Sequence, residues 1–94
     1  MLFVALYSPK PGTSSMQSLE RRMKWNPPEG MKKIAEYWIA NITPHVIIVF
    51  EADNYAAIMG ANMPWADLMD FSVFPAITGE EGLKLAQQMM PKTQ

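Results

Sequence analysis

No cysteine occurs in the 94 residues, so neither a disulfide nor a thiolate metal site can support the core. Imidazole chemistry is confined to one position, His45. A surplus of one charge is missing too: eight Lys and Arg face nine Asp and Glu, a formal net charge of −1. A nucleic-acid binder carries a basic footprint. Here Arg21, Arg22 and Lys24, with Lys32 and Lys33 further on, are balanced by Glu20 and Glu29 and read as a solvated helix face. Gly12, Gly30, Gly60, Gly79 and Gly82 form no phosphate-cradling motif. No apolar run approaches membrane-spanning length. "MLFVALYSPK" has no basic residue ahead of its short apolar run and no cleavage-like site after it. A cytoplasmic protein is expected, with no membrane or nucleic-acid partner, no cofactor and no metal.

What is present describes a single domain over residues 1–94. The chain is 49% hydrophobic and 18% charged, a globular balance. A chain of this length buries only roughly 60–68% of its unfolded surface, so association would add needed burial. Nine methionines supply adaptable core filling.

The pattern along the chain reads β-α-β-β-α-β-α. "LFVALY" is a buried strand, Leu2 to Tyr7, closed by "SPKPG". Ser14 and Gln17 resemble a capping box for a helix whose apolar face is Met16, Leu19 and Met23, stopped by "NPPEG". Met31 to Ala40 and His45 to Glu51 form two strands joined by the reversal Asn41-Ile42-Thr43-Pro44. Asp53 caps a helix containing Ala57, Ile58 and Ala61 that ends near Pro64. Leu68 to Ile77 is a fourth strand, placed at an edge by Pro75. Thr78 and Glu81 open a last helix, Glu80 to Met90. Two β-α-β units joined by a hairpin give an α+β, ferredoxin-like βαββαβ sandwich with an extra C-terminal helix.

The helices cover one sheet face and leave the other open. If Ala40 pairs with His45, then Trp38 lies opposite Ile47, Glu36 opposite Val49 and Ile34 opposite Glu51, all on one face. Val46, Ile48 and Phe50 then lie beneath the helices. A loop of odd length would exchange these assignments. The face with Ile34, Trp38, Ile47, Val49 and Phe74 is too apolar to meet water alone. A second copy packed sheet to sheet is the simplest cover, giving a homodimeric α+β barrel.

"YSPKPG", "KWNPPEGMKKIAEYW", "VIIVFEADNYAAIM", "PWADLMDF" and "FPAITGEEGLKL" together resemble a family of short archaeal and bacterial proteins known only as a domain of unknown function. The resemblance spans nearly the whole chain. It implies a fold similar to the dimeric α+β barrel superfamily, which includes cofactor-independent monooxygenases, lactone isomerases, haem-degrading enzymes and regulator ligand-binding domains. No catalytic motif of those groups occurs here, and a shared fold transfers no activity.

Six residues are candidates for a site. Glu36, His45 and Asp70 could serve acid–base chemistry, and Tyr7, Trp38 and Phe74 could bind a ligand. A carboxylate desolvated among Trp38 and Tyr7 would have a raised pKa. The plainer readings are a solvated strand-end histidine, carboxylates at a dimer margin paired with Lys32, Lys33 or Arg22, and aromatics packed in a core or interface. Trp25 and Trp65 pin helix ends to the sheet. Two functions follow: a barrel binding a small aromatic or hydrophobic metabolite, as an oxygenase- or isomerase-like enzyme would, or a non-enzymatic module whose sheet face serves only dimerisation.

Overall fold

The computed structural model describes residues 1–91. Its elements are β1 (Leu2–Pro9), α1 (Ser15–Lys24), β2 (Met31–Trp38), β3 (Val46–Ala52), α2 (Tyr55–Asn62), a 3-10 turn (Met63–Trp65), β4 (Met69–Ala76) and α3 (Gly79–Met89). The four strands form one antiparallel sheet in the order β2-β3-β1-β4. This is the expected ferredoxin-like topology with a C-terminal helix, and Pro75 indeed lies in an edge strand.

Antiparallel partners share a face, and alternate residues change face. Ala5, Tyr7, Ile48, Phe50, Ala52, Met31 and Met69 point to the helix side and are buried with Ala57, Ile58 and Ala61 of α2, Trp65 and Leu68. Phe50 is fully enclosed and stacks on Phe3, with ring centroids 5.6 Å apart. Gly30 turns the chain into β2 at φ 87°, a conformation that disfavours any side chain, and a Cβ there would sit 3.4 Å from Ala57. It is therefore the backbone conformation, not lack of space, that calls for glycine at this turn.

Three local expectations are corrected. Asn54, not Asp53, caps α2: its side chain accepts from Ala57 N–H at 2.9 Å, while Asp53 N–H donates to the Gly30 carbonyl. Ser14 occupies the N-cap of α1 but makes no side-chain cap bond, whereas the Thr78–Glu81 capping box forms. The sheet-facing stripe of α1 runs through Ser15, Ser18, Leu19, Arg22 and Trp25, and Met16 and Met23 face outward.

The largest correction concerns β2. Trp38 pairs with Val46 and Glu36 with Ile48, one residue away from the expected register. The connection from Ile39 to His45 is odd in length, so Glu36 and Trp38 lie on the helix side rather than the open side. A β-bulge at Ile34, between Lys33 and Ala35, then restores the opposite phase, and Lys32 faces Glu51. Ile47 and Val49 keep their expected place on the open face, with Leu2, Val4, Leu6 and Phe74 beside them.

Candidate ligand-binding site

Between α1 and the helix side of the sheet lies a cavity of about 680 Å³. It exists because α1 is moored mainly by its C-terminal half. There Arg22 forms a two-pronged bond to Glu36 on β2: Nε donates to Oε2 at 2.9 Å and Nη2 to Oε1 at 2.6 Å. Arg21 reaches the Pro64 carbonyl at 2.8 Å and the Asp67 carboxylate. The other half of α1 contributes Ser15, Ser18 and Leu19 to the cavity lining.

Three tryptophans and a tyrosine shape the walls. Trp65 and Tyr7 form buried wall, and Trp25 lies under the Arg22 guanidinium at 5.4 Å. Trp38 is 58% exposed and stands at the mouth with Ile42. Val46, Ile48 and Met69 complete an apolar floor. The volume and the ratio of apolar to polar lining match small-molecule sites, in which a few polar groups orient a mostly apolar ligand.

Glu36 is the most heavily bonded polar group of the site. Besides Arg22 it accepts from Trp38 Nε1 at 2.8 Å and Lys33 Nζ at 2.9 Å, and its side chain is only 10% exposed. The Arg22 bonds, with Trp38 and Lys33 in support, hold its pKa down to about 2 against the opposing effect of burial. The expected upward shift is therefore reversed: two cations and an indole N–H outweigh desolvation. Glu36 stays a carboxylate at any ordinary pH.

Tyr7 projects from β1 and donates to Asn62 Oδ1 at the end of α2. Burial, and secondarily the negative charge of Glu36, push the phenol pKa up to about 12. Neutral Tyr7 thus remains a hydrogen-bond donor. His45 precedes β3, and its Nδ1 lies 2.8 Å from the Asn41 carbonyl and 3.1 Å from that of Ile39. Carbonyls only accept, so Nδ1 carries a proton, and in the neutral ring Nε2 is the basic nitrogen. Ser18 belongs to the cavity lining, but its Oγ is itself closed off from solvent and, among the described residues, is the one buried side-chain polar atom with no partner.

The cavity therefore brings together four of the six candidates: Tyr7, Glu36, Trp38 and His45. Asp70 and Phe74 lie on the opposite sheet face, Asp70 paired with Lys10 at 3.3 Å. The sequence named Arg22 and Lys33 only as possible partners of a carboxylate, which they are for Glu36, and it gave Ser18 and Asn62 no part in a site. For Arg22 a signal existed: it falls on one helical stripe with Leu19 and Trp25, an odd place for a solvated charge. Asn62 gave none, since its role depends on a strand 55 residues away. Among the described residues no group of three or more His, Cys, Asp or Glu is placed to hold a metal ion. No described helix is long and apolar enough to cross a membrane.

No curated protein and no solved structure matches the chain. The model of one protein family does, over residues 1–90, and that family is described as a domain of unknown function, DUF3303. The match brings no activity with it and no link to the dimeric α+β barrels. By its extent, covering all six strands and helices of the βαββαβ unit and α3, the chain belongs to the DUF3303 family.

Proposed function

We propose that this protein binds a small, largely apolar, ring-containing molecule in the cavity between α1 and the sheet. The observation that carries this reading is one space of about 680 Å³ bordered by Tyr7, Trp25, Trp38 and Trp65, with polar atoms confined to a few points. Flat rings offer the ligand stacking surface. Among the polar side chains of the lining, His45 leaves Nε2 to meet the ligand's polar atoms.

In a catalytic form of this reading, the cavity hosts a cofactor-free oxygenation or isomerisation, and His45, through Nε2, is the lining residue that would exchange a proton with the ligand. Glu36 does not fit that role. Its low pKa makes it an anchor for α1 and for the Trp38 ring. Asp70 and Phe74 fall outside this reading because they occupy the other face.

The test is a titration of intrinsic tryptophan fluorescence with 1-anilinonaphthalene-8-sulfonate and with 2-naphthol. Saturable one-to-one binding is expected, weakened about ten-fold or more in Trp38→Ala and unchanged in Phe74→Ala. Absence of saturable binding by either probe, or equal loss in both variants, would overturn the assignment to this cavity.

A further inference from the structure

Two surfaces of the molecule have no cover among the described residues. The first is the open sheet face: Leu2, Val4, Leu6, Ile47, Val49, Tyr37 and, at 52% exposure, Phe74. Its charges sit at the margins, with Lys32 and Glu51 at one corner and Asp70 at the opposite one. An apolar centre with a polar rim is the anatomy of a protein interface.

The second is α3. None of its residues is buried, and the molecule measures 61 × 29 × 16 Å, far longer than a compact chain of this size. Leu83 is 67% exposed and Met89 81%. On a helical wheel Gly82, Leu83, Leu85, Ala86, Met89 and Met90 occupy one side, and Glu80, Glu81, Lys84, Gln87 and Gln88 the other. An isolated helix of eleven residues is marginal in water, so an amphipathic one needs a surface to lie on.

The two surfaces meet. At the foot of the sheet, Leu2, Ile34, Ala76 and Ile77 form a shallow groove with Thr78 and Glu81 from the start of α3. The groove, which also holds Met1 and Glu51, thus joins the sheet face to the start of the helix.

We propose that the occupant of both is a second copy of this chain, packed sheet to sheet, each α3 extending as an arm onto the other subunit. Area favours this choice. Strands of seven or eight residues at about 3.4 Å rise, four abreast at about 4.8 Å, offer roughly 500 Å² per copy. With α3 at about 1.5 Å rise per residue the contribution is on the order of 650 Å². A pair then buries about 1,300 Å², above the roughly 1,000 Å² that a stable association needs. The sheet alone falls at that threshold, which gives the arm its purpose. A flat face beside a projecting amphipathic arm is also self-complementary under a twofold axis.

The experiment is sedimentation velocity on the full-length protein across a hundred-fold concentration range, with Phe74→Glu and Leu83→Glu variants checked for folding by circular dichroism. Both positions are exposed in the single chain, so neither substitution disturbs its core. The expected result is a particle of twice 10.6 kDa, with each variant raising the dissociation constant at least ten-fold. A monomeric wild-type protein would overturn the proposal, all the more if it floated with phosphatidylcholine vesicles. A dimer weakened by Phe74→Glu alone would overturn the arm, and one insensitive to both would move the interface elsewhere.

Discussion

The Tyr7 phenol and the Asn62 side-chain carbonyl, 55 residues apart, share a hydrogen bond at the junction of β1 and α2. Asn62 is 2% exposed and is the one polar residue in the buried set among the described residues. Removing the donor strands a buried acceptor, which costs about 1–3 kcal/mol. Tyr7→Phe is therefore expected to lower unfolding free energy by that amount in urea, with little change in the denaturant slope. A loss below about 0.5 kcal/mol would mean that water replaces the phenol.

Glu36 makes a pH prediction whose sign follows from its depressed pKa. The folded value is about 2 and the ordinary one is 4.5, so the unfolded chain takes up the proton first. The stability it contributes is present above pH 4.5 and is lost as pH falls toward 2. Its partners Arg22 and Lys33 are partly open to water, so the contribution is on the order of 2 kcal/mol rather than the full shift. Glu36→Gln should be less stable than wild type by that amount at pH 7, and the gap should close by pH 2. Urea unfolding at both pH values measures it, and a constant gap would show that the loss is one of packing.

The alternation of β3 separates two neighbouring isoleucines. Ile48 is buried beneath the helices and Ile47 belongs to the open face. Ile48→Ala should cost about 2–4 kcal/mol in thermal or urea unfolding. Ile47→Ala should cost less than about 1 kcal/mol in a monomer at high dilution. The reverse order would refute the register of the sheet.

His45 gives the cavity a local test. Its Nδ1 proton ties the ring to the carbonyls of Ile39 and Asn41. His45→Gln retains a donor of similar reach, while His45→Ala leaves both carbonyls to water. In ¹⁵N-resolved imidazole spectra the neutral ring should show Nδ1 protonated and Nε2 unprotonated; the opposite tautomer would remove Nε2 as a basic group.

The order of elements was legible because each rests on local chemistry: apolar runs closed by "SPKPG" and "NPPEG", and a true capping box at Thr78 and Glu81. The faces of β3 and β4 were legible because alternation within one strand carries them, while the uniformly apolar β1 gave no face to Tyr7. The faces of β2 were not. They depend on the parity of a loop and on the bulge at Ile34, and neither leaves a mark in composition. Tyr7, Glu36, Trp38 and His45 still gather, but at the helix-side cavity rather than between two sheets, because the actual register turns Glu36 and Trp38 to the face that carries Tyr7. The rotation of α1 was misread for a related reason. Met16 and Met23 look like core by hydropathy, but the Arg22–Glu36 bond turns the helix the other way.

The seven residues from Ile39 to His45 also act as a parity switch on the chemistry of the sheet. Inserting one residue there would send Glu36 and Trp38 to the outer side, freeing Arg22 and emptying the mouth of the cavity. Inserting two would lengthen the loop and leave every side chain where it was. Tolerance to change at this hairpin should thus alternate with the number of residues added, not decline smoothly with it.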